Sequence, residues 1–116
     1  MEGLQLVLKR KYFDMIADGI KGEEYREITD YWLRRICALW DSYHKGHYCY
    51  YGCNCSFCYE RKVQPKHRTV TFYCGYAKDR PSMTFAIDGV TVGYGKPELG
   101  AEPNKLYFVI KLGKRL

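Results

Sequence analysis

Within the eight residues Gly19-Ile20-Lys21-Gly22-Glu23-Glu24-Tyr25-Arg26 the chain gathers two cations and a carboxylate at spacings that bring them together. From Gly22 to Ile28 the pattern has period two. Glu24, Arg26 and Ile28 therefore share one face of a strand, and Glu23, Tyr25 and Glu27 the other. Lys21 stands at the junction before that strand, free to reach over the Glu24/Arg26 face. Two cations and a carboxylate converging there can grip an anionic or polar ligand, with Lys9 and Arg10 as further candidates for phosphate contact. A more remote acid, Glu98, sits in the loop after Gly93-Tyr94-Gly95, where an exposed loop acid is the plain reading. The same residue types at strand spacing also suit a solvated face with surface ion pairs worth ~0–1 kcal/mol.

A second group with chemistry is Cys49-x3-Cys53-x-Cys55-x2-Cys58, preceded by His44 and His47. Thiolate is a soft ligand, and four thiolates, or three with a histidine, complete a tetrahedral zinc site. Metal binding would also give an irregular segment a reason to be ordered. Against one shared metal, only Cys55-Ser56-Phe57-Cys58 has knuckle spacing, and Cys53-Asn54-Cys55 closes a cramped ring. Reduced, unliganded thiols are the alternative, and no cofactor is required. Cys37 and Cys74 fall on apolar faces and read as core residues.

The elements that must position these groups follow from periodicity. Residues 4–8 read as a first strand. Residues 11–18 read as a helix, with Tyr12, Phe13, Ile16 and Ile20 on one side and Gly19 ending it in a left-handed conformation. Residues 23–28 form the second strand. Thr29 offers an N-cap to a second helix in which Leu33, Ile36, Cys37 and Trp40 recur at helical spacing, with Trp32 and Trp40 as packing anchors. Residues 41–68 show no clear period and read as an irregular insertion. Residues 69–76 alternate as a half-buried strand. Residues 83–87 and 90–94 read as two strands joined at Asp88-Gly89 by a type I′ turn. A last strand at 106–112 puts Leu106, Phe108, Ile110 and Leu112 on one face. Gly93-Tyr94-Gly95 lacks the context of a phosphate loop and reads as a bend or bulge. The sum is a compact α+β barrel in one domain spanning residues 1–116.

The run Leu4-Gln5-Leu6-Val7-Leu8-Lys9-Arg10-Lys11-Tyr12-Phe13, then Ile16-Ala17-Asp18-Gly19-Ile20-Lys21, then Glu24-Tyr25-Arg26 resembles the ASCH (activating signal cointegrator homology) family. Its G-x-K-x-x-E-x-R signature is matched by Gly19, Lys21, Glu24 and Arg26. The stretch from Val92 through Pro97-Glu98-Leu99-Gly100-Ala101 to Phe108-Val109-Ile110-Lys111-Leu112-Gly113 is similar to the family's ending. The resemblance covers about residues 4–36 and 69–116 and leaves the Cys/Tyr-rich insertion outside. It implies a PUA-like β-barrel, with the Lys, Glu and Arg in a cleft that takes a nucleotide or nucleic acid, and it places the Glu98 loop towards that ligand end. One branch of the family hydrolyses acetylated cytidine, and ribonuclease activity is also associated with it. In the amidohydrolase branch the lysine works with a nearby threonine; here Glu24 stands at that position, which removes a hydroxyl and adds a charge. If this chain were such an enzyme, Lys21 and Glu24 would be its catalytic residues. A lysine beside a carboxylate stays charged, so Lys21 is expected to act as a clamp, and binding is favoured over catalysis.

Composition agrees with one small globular unit: 116 residues, 47% hydrophobic, suffice for a single core. No run approaches the ~20 apolar residues of a membrane helix. The opening Met1-Glu2-Gly3 has no basic stretch ahead of its short apolar run, so a cytoplasmic location and no membrane partner are expected. The net charge of +6 is uneven: residues 1–40 balance seven Lys/Arg against seven Asp/Glu, and residues 41–80 carry seven against three. The excess clusters at Arg61, Lys62, Lys66 and Arg68, and Tyr43, Tyr48, Tyr50, Tyr51 and Tyr59 interleave with His44, Lys45 and His47. Aromatic rings beside cations suit single-stranded nucleic acid. The same rings would also serve to pack the insertion on the barrel.

Overall fold

The computed structural model describes residues 3–37, 62–63 and 65–116. The elements are β1 (Leu4–Leu8), α1 (Arg10–Ala17), β2 (Glu23–Glu27), α2 (Asp30–Ile36), β3 (Lys62–Val63), β4 (Thr69–Cys74), β5 (Ser82–Tyr94), a 3-10 turn (Pro97–Leu99) and β6 (Leu106–Arg115). They make a mixed α+β fold in which one sheet, ordered β1-β4-β5-β6-β2 with β3 added against β5, curls into a half-barrel. Leu4–Leu8 runs parallel to β4; the other pairings are antiparallel.

Local signals account for the first third of the chain. Lys9 precedes α1, whose Phe13 and Ile16 are buried against the sheet. Gly19 takes φ +79°. Its N–H donates to the Ile16 carbonyl at 3.1 Å and the Ile20 N–H to the Met15 carbonyl at 2.9 Å, the paired bonds of a Schellman end. The Lys21 N–H donates to the same Met15 carbonyl at 3.0 Å, which fixes the lysine's backbone one step before β2. Thr29 caps α2 as expected, its hydroxyl accepting from the Trp32 N–H at 3.3 Å, and Asp30 and Arg34/Arg35 complement the helix dipole at either end.

Four sequence expectations are corrected. The second helix stops at Ile36; Cys37 is extended, fully buried, and bridges to Pro65, because the Ile36 carbonyl is taken by the Lys66 N–H at 2.7 Å. The irregular segment does not run to residue 68: Lys62 and Val63 pair with Thr91 and Val90, and Val63 is buried. The strand at Thr69 ends at Cys74 because Gly75 turns it at φ +74°, leaving Tyr76 exposed. Asp88-Gly89 is not a hairpin turn. It lies inside the continuous strand β5, where the register with β6 shifts between Phe85, Ile87 and Gly89. Strand β5 pairs β4 over residues 82–86 and β6 over residues 85–94, and the irregularity falls where the two ladders overlap and part. The Cys49, Cys53, Cys55 and Cys58 cluster, the two histidines before it, Trp40 and the insertion tyrosines lie outside the described residues.

The main core fills the curl with Leu6, Val70, Phe72, Phe108, Ile110 and Ile36. A second cluster of Tyr25, Leu99, Ala101, Tyr107 and Val109 packs on the other face of β2 and β6. Strand β6 is thus buried on both faces over Tyr107–Ile110, where a one-faced alternation was expected.

Candidate functional site

The half-barrel leaves β1 and β2 as the two ends of the strand order. A pocket of about 210 Å³ opens where these ends approach each other, between Val7, Leu8 and Lys9 on one side and Lys21, Glu24 and Arg26 on the other, with Tyr12 and Gly100 at its wall. Lys21 and Glu24 are each only 3% exposed, among the few buried charged side chains of the described residues.

Glu24 is the hub. Its Oε1 lies 2.7 Å from Lys21 Nζ and its Oε2 2.7 Å from Arg26 Nη1. Each carboxylate oxygen therefore has its own cation, which meets the condition for keeping charges out of water. Lys21 Nζ also donates to the Leu99 carbonyl and sits over the rings of Tyr12 and Tyr25, at 4.6 and 5.2 Å from their centroids. Arg26 Nη1 donates to the Tyr25 carbonyl at 2.9 Å and Nη2 to the Val7 carbonyl at 3.4 Å, reaching across from β2 to β1. Its guanidinium stacks 5.2 Å from the Trp32 ring. Two cations against one carboxylate leave the cluster with one positive charge facing the pocket.

The outer face of β2 braces this arrangement. Tyr25 OH donates to Glu23 at 2.7 Å and accepts from the Lys96 N–H at 3.0 Å, tying the loop before the 3-10 turn to β2. Burial, with the Glu23 bond, pushes the Tyr25 phenol well above its ordinary value. Burial would raise the Glu23 carboxyl, but hydrogen bonds from Lys111 and Tyr25 outweigh it and hold Glu23 below the usual carboxylate value. Gly95 is required by this brace: a Cβ there would stand 2.4 Å from the Ala101 Cβ and 2.9 Å from the Tyr25 ring. Close approach, not phosphate cradling, explains that glycine.

The expected site residues divide accordingly. Glu24 and Arg26 share a face of β2 as the period-two pattern requires, Lys21 reaches over to them from the junction after α1, and Lys9 stands at the rim, exposed. Arg10 does not join them. It is exposed and turned along α1 to Asp14 at 3.3 Å, with Cys74 Sγ at 4.0 Å; Asp14 holds its guanidinium above its ordinary value. Glu98 is exposed in the 3-10 turn and outside the pocket wall; its neighbours Leu99 and Gly100 supply the contacts. Sequence reading missed Tyr12 as a ring beneath Lys21, although its helical spacing to Ile16 placed it on the inner side of α1. It also missed Gly100, whose φ of +105° and 2.9 Å gap to the Tyr12 ring admit no side chain. The carbonyls of Val7 and Leu99 carry no sequence signal. Among the described residues no group of three metal-binding side chains converges, and no helix is long and apolar enough to cross a membrane.

No family model, curated protein or solved structure matches this chain.

Proposed function

We propose that this chain is an ASCH-type module of PUA-like architecture that binds a nucleotide, or one nucleotide of a single-stranded nucleic acid, in the Lys21–Glu24–Arg26 pocket. The observation that carries this reading is the uncompensated positive charge of a buried cluster that lines a small cavity. An anion entering there replaces lost hydration with a fixed charge in a medium of low effective dielectric. Lys21 is too buried to touch much of a ligand and acts through its field and its hold on Glu24. Arg26, with a side chain 17% exposed, and Lys9 are the groups that reach it.

The same geometry supports binding over hydrolysis. A general base needs a lone pair free to take a proton. Lys21 is committed to Glu24 and the Leu99 carbonyl, and both Glu24 oxygens are occupied. The resemblance's threonine hydroxyl has no counterpart at position 24.

Fluorescence anisotropy with a labelled nucleotide and a short single strand tests the reading. Affinity is expected to fall steeply with salt and to fall with Lys21→Met, which leaves Glu24 and Arg26 as a neutral pair. Binding that ignores both salt and Lys21→Met refutes it. Acetylated cytidine is expected to stay intact; chromatographic release of cytidine that vanishes in Lys21→Met would establish the hydrolase reading instead.

A further inference from the structure

A larger groove, of about 550 Å³, lies beside the small pocket and shares Val7 and Arg26 with it. One wall comes from α2, with Tyr31, Trp32 and Arg35. The other comes from β4 and the turn after it, with Tyr73, Tyr76 and Arg80. These two walls are about forty residues apart in sequence, and β1 runs between them.

Guanidinium and ring alternate in space. Arg80 stacks 4.1 Å from the Tyr73 centroid, Arg35 lies 5.3 Å from Tyr31 and 5.8 Å from Trp32, and Arg26 closes the inner end over Trp32. Tyr31 meets Trp32 edge-on, ring planes at 86°. Trp32 is half-buried and also packs on the core, so this wall is anchored. Tyr31 and Tyr76 are 60% and 85% exposed, large rings left in water. No carboxylate belongs to the described residues that line the groove.

Flat, solvated π-faces beside Arg35 and Arg80, with Arg26 paired to Glu24 behind the inner end and no acid in the described lining, match one chemistry: bases to stack and phosphodiesters to pair. An acidic peptide would satisfy the arginines but leave the exposed tyrosine faces without planar partners. A duplex offers phosphates to the arginines but hides its base faces and leaves the exposed rings without partners.

We infer that this groove is a base-stacking track for a single-stranded nucleic acid, one base against the Tyr31 wall and another against Tyr76, with phosphates within reach of Arg35 and Arg80. Through Arg26 the track leads to the small pocket, which takes the next nucleotide. That end of the path rests on the function proposed above; the stacking walls do not.

The test uses the full chain, with a fluorescein-labelled oligouridylate of about ten nucleotides, a length within the usual span of single-strand sites. Uridine monophosphate, a duplex of equal length and polyglutamate serve as competitors. Tyr31→Ala and Tyr76→Ala remove exposed side chains, and circular dichroism checks that both variants fold. Each is expected to weaken oligouridylate binding roughly 10-fold or more, while uridine monophosphate binding stays as in the unaltered chain. Lys21→Met is expected to weaken binding of the mononucleotide and, less strongly, that of the strand. Strand affinity unmoved by both tyrosine changes overturns the track, whatever the mononucleotide does. Tyrosine-dependent strand binding without mononucleotide binding upholds the track and removes the pocket reading. Duplex or polyglutamate competing as well as the single strand overturns the inference, the latter in favour of an acidic peptide.

Discussion

Replacing Glu24 by glutamine keeps the shape of the hub and removes its charge, which sets stability and ligand affinity against each other. In the native cluster Lys21 and Glu24 side chains are 2% and 4% exposed, and both carboxylate oxygens lie 2.7 Å from a cation. Removing one partner of such a pair strands a buried charge, at a typical cost of about 3 kcal/mol or more. That is a large share of the ~5–15 kcal/mol that holds a domain of this size. With each kcal/mol worth roughly 4 °C, the midpoint should fall by ~12 °C. Lys21→Met should cost less, about 1–2 kcal/mol, because Arg26 still pairs Glu24 and the methionine stem keeps contact with Tyr12 and Tyr25. The double variant should cost less than the sum of the singles, with a coupling of ~1–3 kcal/mol. Affinity should move the other way. Glu24→Gln raises the local charge from one to two positives, so a nucleotide should bind more tightly than to the native chain, whereas Lys21→Met loosens it. Urea unfolding followed by tryptophan fluorescence, with nucleotide titration on the same samples, measures both. A loss below ~1 kcal/mol for Glu24→Gln, or a greater loss for Lys21→Met, would show that the carboxylate is not the hub.

Other outcomes are expected on independent grounds. Gly100→Ala should destabilise the chain by ~1–3 kcal/mol in thermal unfolding, since it puts a non-glycine residue at positive φ. Its Cβ would also press on the Tyr12 ring 2.9 Å away, and nucleotide affinity should fall with it. Thr29→Ala should cost about 1 kcal/mol by removing the cap of α2. The raised Tyr25 phenol contributes stability that is complete below the ordinary tyrosine value and fades as pH rises above it. Melting midpoints should therefore drop above about pH 10, and Tyr25→Phe should remove part of that drop; an unchanged alkaline profile would refute the link. The lowered Glu23 carboxyl works in the opposite sense: its contribution is present above the ordinary glutamate value and is lost as pH falls through its depressed one. Lys111→Met should weaken that acid-limb dependence in pH-resolved unfolding.

What could be read in advance was what local chemistry determines. Gly19 ends α1 and leaves Lys21 at the junction, Thr29 starts α2, and the period-two run from Glu23 sets Glu24 and Arg26 on one side, because each signal acts within a few residues of its effect. Asp88-Gly89 misled because the same dipeptide suits a tight turn or an irregular point in a long strand; pairing with β6, far along the chain, decides between them. Double-sided burial of β6 was hidden because its second apolar face is covered by Tyr25 and Leu99, which only the curl of the sheet delivers. Arg10 misled for a simpler reason: one turn of α1 brings Asp14 beneath it, a nearer partner than any ligand. The aromatic groove had no linear signature at all, since α2 and β4 meet across β1.

The reach of Arg26 to the Val7 carbonyl has a mechanical corollary. This guanidinium is shared among Glu24, the Tyr25 carbonyl, Val7 and the face of Trp32. Its five N–H donors are finite. A phosphate arriving at the seam would compete most easily for Nη2, whose 3.4 Å bond to Val7 is the longest the guanidinium makes. The latch between the two end strands of the sheet and the grip on an occupant would then share one nitrogen. An occupant that took the hydrogen facing Val7 would loosen the rim that frames it, whereas one that took the second Nη2 hydrogen would leave the rim latched.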